Sequence, residues 1–355
     1  MQITAKMVKE LRDLTGAGMM ECKQALQETD GDIDKAVELL KEKGAAKAVK
    51  KSGKVAAEGL VTLTLADDNT KGTITEINSQ TDFVAKNENF IKLTDKITKH
   101  VYDNNLNTLE ELNESEIDGK NFADFLNEQI ASIGENIVVR RIDTLAAEEN
   151  EYVTGYIHFT NTNGVLLKAK LDSQETLEAS KEFLQQIAMH ISAMGPNAIS
   201  YQDFDEEFVS KELEQLHLKI TEHNQNQEMI GKPTRELPKY GSRSQFSDDV
   251  IEQAKEDIRK ELIEEGKPEQ ILDRIIPGKL AKFIEENTEI DRQYALYSQD
   301  FILDESKTVE QALKDKAESL NGTIEIVEFK RYKVGEGIEV VKEDFAAEVA
   351  SQMNL

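Results

Sequence analysis

Five Gly-Lys pairs, beginning at Gly53, Gly119, Gly231, Gly266 and Gly278, are the residues of this chain best suited to cradle a phosphate. A phosphate-binding loop follows its Gly-Lys with Ser or Thr, whose hydroxyl reaches magnesium. Val55, Asn121, Pro233, Pro268 and Leu280 stand there instead, so none of the five completes the loop. Asp30-Gly31-Asp32-Ile33-Asp34 begins like a calcium loop, but Lys35 occupies the sixth position and Lys41 the twelfth, where Gly and Glu are needed. A helix cap is the better reading. His217 and His223 fall on different faces of a helix, and no Cys–Cys or His-Glu-x-x-His pattern accompanies them, so zinc is not expected. Cys22 has Lys23 beside it but no nearby His, and its helical spacing among apolar residues suits a buried thiol. Carboxylates are too abundant for any pair to stand out as acid and base. Neither covalent catalysis nor a cofactor nor a metal is expected.

The remaining candidate is Asp82–Phe83, in the run Ser79-Gln80-Thr81-Asp82-Phe83-Val84-Ala85-Lys86-Asn87. A β-rich stretch, 72–78, precedes it and a helical pattern opens at Asn87. A ring beside a carboxylate at a strand-to-helix corner can enter another protein's pocket. On those residues alone an internal role serves as well, with Asp82 capping the helix and Phe83 in the core.

Composition narrows the partners. The 355 residues carry 43 Lys and Arg against 69 Asp and Glu, a formal net charge of −26. Such a surface repels phosphate backbones, so direct nucleic-acid binding is not expected, and a partner with basic patches is. One cysteine excludes an internal disulfide and fits a reducing cytosol. No apolar run approaches a membrane span, and the first residues lack a signal-peptide core, which together imply a soluble cytoplasmic protein without membrane contact.

The elements that must position these residues are legible from period. Residues 4–44 form three short helices: Thr4 caps the first, the second runs Met19 to Glu28 with Cys22, Ala25 and Leu26 inward, and Asp32 caps the third, which Gly44 should stop. A basic linker, 46–58, follows. Period two then marks strands at 60–65 and 73–77, a helix carries Phe90, Leu93, Ile97 and Val101 inward, and 137–142 is a further strand. The pattern recurs, with strands from Val153 to Phe159 and Val165 to Leu171 flanking a hairpin turn at Asn163-Gly164. At one constant offset Ile77, Ser79, Gln80, Ala85, Phe90 and Ile97 meet Leu171, Ser173, Gln174, Ala179, Leu184 and Ile191, so the hairpin-plus-helix unit is duplicated. Phe83 then meets Leu177, which favours packing at that position, although only the first copy pairs a carboxylate with a ring. Charged helices are expected over 204–225, 248–265 and 269–286 as an antiparallel hairpin or coiled coil. A strand at 324–329 rejoins a sheet and a short helix, 343–353, ends the chain. The fold class is α+β, with antiparallel sheets. The domains read as a three-helix module (1–45), the linker (46–58), core subdomains at 59–145 and at 146–203 with 290–336, an inserted helical hairpin (204–289) and a C-terminal module (337–355).

Six motifs in order resemble the elongation factor Ts family: 8–23 (VKELRDLTGAGMMECK), 80–85 (QTDFVA), 133–137 (IGENI), 187–191 (IAMHI), 334–338 (VGEGI) and 344–349 (DFAAEV). The resemblance covers most of the chain. It implies a UBA-like N-terminal module and a guanine-nucleotide exchange factor that binds elongation factor Tu, GDP-bound and nucleotide-free, without covalent chemistry. Carried onto matching positions, Thr81, Asp82 and Phe83 would enter the partner's nucleotide domain near its magnesium. Ile133, Gly134, His158, Met19, Met20, Lys23 and Lys51 would add contacts. Of the two adjacent methionines, one is expected to be exposed. A homodimer would use the helical insertion, whose 218–259 stretch looks longer than the family's usual hairpin. The rival readings are a non-catalytic UBA-like adaptor or scaffold, and an acidic hydrolase for which no nucleophile and base converge.

Overall fold

The structure is a computed structural model that describes residues 3–15 and 17–339. The chain forms two compact units, one comprising residues up to Lys168 together with those from Phe329, the other Ala169–Glu328. The helix expected over 343–353, and the C-terminal module beyond residue 339, lie outside the described residues, as does Gly16.

The first unit opens with α1 (Ala5–Thr15), α2 (Met19–Glu28) and α3 (Ile33–Ser52). Thr4 accepts a hydrogen bond from the Met7 amide at 3.3 Å, and Asp32 accepts one from Lys35 at 3.1 Å, so both expected caps form. Val8, Leu11, Cys22, Ala25, Leu26 and Ala36 close a small core. Gly44 does not stop the third helix, which runs on to Ser52. A Cβ at Gly44 would meet the Ala131 side chain at 3.4 Å, the near edge of ordinary contact, so the glycine lies within the helix where α3 faces residue 131 and not at a cap.

Then come β1 (Glu58–Leu65), β2 (Lys71–Ser79), α4 (Asp82–Ala85), α5 (Glu88–Asn104), α6 (Leu109–Glu114), β3 (Glu116–Ile117), β4 (Lys120–Asn121), α7 (Phe122–Ile133), β5 (Val138–Ala146), β6 (Glu151–Ile157) and β7 (Asn163–Leu171). An antiparallel sheet has the order β1-β2-β5, with Glu58 opposite Ser79 and Leu65 opposite Gly72. Alternation gives it two apolar faces. Leu60, Ile77, Val139 and Ile142 pack on Phe90, Leu93, Ile97 and Val101 of α5 and on α7. Val61, Ile74 and Leu145 pack on Val153, Leu166 and Tyr332. Both faces are covered, so β2 is buried almost throughout. Most of its polar residues are paired, Asn78 excepted: Thr75 meets Thr62 at 2.9 Å and Thr98 at 2.6 Å. Glu76, with no exposed surface, receives Arg140 at 3.0 Å, Arg141 at 2.6 Å and the Gly335 amide at 2.9 Å. Arg140 also donates to the Glu336 carbonyl at 2.5 Å, which fastens the returning chain to β5.

The turn of the second hairpin differs from the expected one. Asn163 and Gly164 belong to β7, and the reversal falls on 158–162, with Asn161 left-handed at φ 56°. A Cβ at Gly164 would lie 2.6 Å from Ile157 and from Val61, so this glycine permits close packing instead of a turn. The strand therefore ends at Ile157 and Phe159 lies in the loop.

The second unit holds α8 (Gln174–Met194), α9 (Glu206–Met229), α10 (Asp248–Glu264), α11 (Glu269–Glu286), α12 (Glu289–Tyr294), β8 (Asp300–Phe301), β9 (Asp304–Thr308), α13 (Val309–Ser319) and β10 (Ile324–Lys333), the last running on into the first unit. Ile258, Leu262, Leu272 and Ile276 zip α10 to α11 as an antiparallel hairpin, although Pro277 lies inside α11. Segment 199–294 leaves and returns at one point: Ala198 and Ala295 form a β-bridge, and the amides of Leu296 and Tyr297 donate to Ala198 and Ile199 at 2.9 Å. The second sheet has the order β10-β7-β6. In each sheet a late strand joins the second strand of a hairpin, the shared topology that the internal sequence repeat implies. The fold is α+β with antiparallel sheets.

Candidate functional site

The internal reading of Asp82–Phe83 fails. Thr81, not Asp82, caps α4, its hydroxyl accepting from the Val84 amide. Successive helical residues step about 100° apart, so a single turn that buries Ala85 and leans Val84 on the core must point Asp82 and Phe83 outward. Phe83 is 82% exposed. Asp82 pairs with Lys86 one turn on at 2.6 Å, and that hydrogen bond holds its carboxyl below the usual aspartate range. In the second copy the offset position Leu177 is half-buried and Thr176 is buried, within α8, which starts directly after its cap Ser173. The matching residues are helical in both copies, but in the first the helix breaks at Lys86–Asn87, so α4 stands as a separate turn with Phe83 outward, whereas in the second they open the continuous α8.

The loop is held from one side by the end of α7. Gly134 takes the left-handed conformation, φ 86°, and its amide closes the helix on Ile130 at 2.8 Å. That turn aims Glu135 at Thr81. The carboxylate accepts the Thr81 amide at 3.0 Å and the Thr81 hydroxyl at 2.6 Å. Ile133 leans on the core and, with Val84, Asn87 and Phe125, lines a cleft of about 460 Å³ beside α4. Thr81, Asp82, Phe83, Ile133 and Gly134 thus form one continuous surface.

On α2, Met19 and Met20 are both exposed, 45% and 74%, so the exposed methionine expected there is joined by its neighbour. Cys22, Ala25 and Leu26 already fill the inner face, leaving both methionines and Lys23 outside. Glu21 and Gln24 of α2 face Ala131 and Ser132 of α7 across a cleft of about 580 Å³, so this surface adjoins the end of α7. Lys51, expected in the basic linker, is half-buried in the last turn of α3. Beyond it the Lys54 carbonyl accepts from Asn136 at 2.8 Å, next to Glu135.

His158 follows β6. Its Nδ1 meets the Thr160 hydroxyl at 2.8 Å, and its ring lies 4.3 Å from that of Phe159. The Val61 amide donates to Asn161 at 2.7 Å, which docks this turn on β1 three residues from Glu58, the partner of Ser79.

The family model described as "Elongation factor TS" matches residues 80–236 and 233–336. Elongation factor Ts of Campylobacter fetus subsp. fetus is 48% identical over 353 residues, 99% of this chain and 100% of that protein. The chain belongs to the elongation factor Ts family. Proteins of the same name from Sulfurovum sp. (49% over 348 residues, 98% of each chain) and Aliarcobacter butzleri (46% over 351 residues, 99% of each) are likewise similar along their whole length. Membership places the chain among translation elongation factors. The relatives match essentially end to end, so the long 218–259 stretch falls within the shared length.

Sequence reasoning missed two residues of this surface. Glu135 stood inside a family motif, but nothing in the sequence joins it to Thr81, 54 positions away. Lys86 was the more readable, since Asp82 and Lys86 are spaced for an i,i+4 pair. Behind the loop the side-chain amides of Asn78 and Gln80 have buried atoms without a hydrogen-bond partner. Among the described residues no cluster of His, Cys, Asp and Glu could hold a metal, and no helix is long and apolar enough to cross a membrane.

Proposed function

We propose that the chain is a guanine-nucleotide exchange factor for elongation factor Tu. The observation that carries this reading is Phe83, held 82% exposed on a single fixed turn beside Asp82. Exposing a ring costs the free protein hydration free energy, and a partner pocket recovers it. Exchange needs no catalytic group. The factor binds the nucleotide-free partner more tightly than the loaded one, and by linkage it weakens nucleotide by the same factor that nucleotide weakens it. Phe83 enters an apolar slot near the partner's magnesium while Asp82 displaces the adjoining loop. Magnesium bridges phosphates to protein, so moving its surroundings loosens the nucleotide. Thr81 anchors the wedge, and Ile133, Gly134, Met19, Met20, Lys23, Lys51 and His158 widen the contact. Family membership and the continuous surface at 81–83 and 133–134 support these assignments.

The test is release of fluorescent GDP from elongation factor Tu. The chain should accelerate it, and Phe83→Ala, with an unchanged melting curve, should lose about thirtyfold in stimulation at sub-saturating concentration, the worth of a buried aromatic anchor of ~2 kcal/mol. Binding without accelerated release would overturn the exchange reading.

A further inference from the structure

Phe159 is 86% exposed, and it and Phe83 are the only exposed phenylalanines among the described residues. A single exposed apolar side chain needs no explanation. Two features set this one apart. The first is rigidity. Within the turn, the His158 amide donates to Asn163 at 2.9 Å and the Asn161 amide to His158 at 2.8 Å. From outside, the Val61 amide donates to Asn161 at 2.7 Å and the Val334 amide to Thr162 at 2.8 Å. The hydroxyls of Thr160 and Thr162 meet at 2.7 Å, and Thr160 also fixes the His158 imidazole against which the Phe159 ring lies. A side chain on such a turn loses little freedom on binding, so its burial converts efficiently into affinity.

The second feature is position. Val61, where the turn docks, lies three residues along β1 from Glu58, and Glu58 pairs with Ser79 at the root of the Phe83 loop. Three residues of strand span about 10 Å. The two loops are therefore anchored about 10 Å apart along β1, each pinned by its own hydrogen bonds and each carrying an exposed ring. A standard protein interface covers ~800 Å² per partner. A partner seated over Phe83 reaches the Phe159 turn without any rearrangement of this unit.

We infer that Phe159 is a second aromatic anchor for the partner that receives Phe83, filling an apolar depression outside the nucleotide site. The inference rests on the exchange reading and divides the labour within it. Phe83 acts on the nucleotide, whereas Phe159 holds the partner in register. The residues around the ring, Thr160, Asn161, Thr162 and Asn163, are uncharged, so the matching surface is apolar with a neutral polar rim. A basic partner surface would instead be met by the carboxylates elsewhere on the chain.

The experiment titrates the full chain and its Phe83→Ala, Phe159→Ala and Phe159→Leu variants against elongation factor Tu carrying fluorescent GDP. Each titration gives a half-saturating concentration and a plateau rate, and thermal melts confirm that each variant is folded. Phe159→Ala should raise the half-saturating concentration about tenfold, the typical cost of truncating an aromatic anchor. Phe159→Leu should recover part of that loss, and Phe83→Ala should lower the plateau. A Phe159→Ala half-saturation within twofold of the unsubstituted chain, where Phe83→Ala is impaired, overturns the anchor and leaves the exchange reading standing. Failure of the unsubstituted chain to accelerate release overturns the exchange reading itself, and the anchor with it.

Discussion

Glu135→Ala tests whether the wedge must be held still. The carboxylate accepts the Thr81 amide at 3.0 Å and the Thr81 hydroxyl at 2.6 Å, and it is half-buried. Hydrogen bonds to a charged group contribute about 1.5 kcal/mol each at the weaker end of their range, which suits a half-buried acceptor. Removing both loosens the docked turn by at most about 3 kcal/mol; water replaces part of this, and the Thr81 cap on the Val84 amide survives. About 1.5 kcal/mol is left, a tenfold shift in the ratio of docked to undocked turn. Apparent affinity falls by the docked fraction, so the half-saturating concentration for GDP release should rise by up to about tenfold although Phe83 is untouched. Glu135→Gln keeps one acceptor oxygen and should fall between. Amide hydrogen exchange supplies the independent readout: the Thr81 amide should lose protection in Glu135→Ala. If that amide stays protected and half-saturation is unchanged, the bond pair does not hold the loop and the reasoning is wrong.

Two further outcomes follow from buried groups away from this surface. His190 has no exposed surface; its Nδ1 accepts the Ile302 amide at 3.2 Å while Nε2 faces Gln299 at 3.0 Å, and burial pushes its pKa below the ordinary 6.5. A lowered folded value means that the unfolded chain binds the proton more readily, so stability is complete above pH 6.5 and is lost as pH falls from there through the lowered value. The melting temperature should drop between pH 7 and pH 5 more steeply in the unsubstituted chain than in His190→Asn. Glu76→Gln puts a neutral amide at a fully buried position facing Arg140 and Arg141, which keep 26% and 29% exposure, and should cost about 1.5 kcal/mol or more in denaturant unfolding.

Periodicity carried most of the fold because each apolar stripe had a single core to face. Leu60 and Ile77 meet the stripe Phe90, Leu93, Ile97 and Val101 in one cluster, and the alternate residues Val61 and Ile74 face another. Glycine was the less legible residue. Gly44 and Gly164 follow the local rules for a helix stop and a hairpin turn, but both lie inside regular elements, and Gly164 permits close packing against Val61, which is distant in sequence. The site was half visible. Residue types and motif order singled out Asp82–Phe83, and the internal repeat then argued for burial by matching Phe83 to Leu177. The repeat misled because the helix that is continuous in the second copy, α8, is broken in the first into α4 and α5, which turns the matching residue outward. Glu135 could not be read at all, since its role depends on the left-handed turn at Gly134 and on a contact across 54 residues.

The bridge between Ala198 and Ala295 has a consequence for how this chain changes over time. Everything from 199 to 294 is a loop whose two ends are tied side by side by backbone hydrogen bonds, which depend little on the side chains beyond them. The entropy of closing such a loop grows only with the logarithm of its length, about 0.6 kcal/mol for each doubling. Loop closure by itself therefore sets little limit on the length of the segment, and what constrains it is the packing of its own helices, such as Ile258 and Leu262 on Leu272 and Ile276. The stretch at 218–259 lies wholly inside this tied segment, so a change in its length is taken up between 199 and 294 and leaves the bridge at its ends in place.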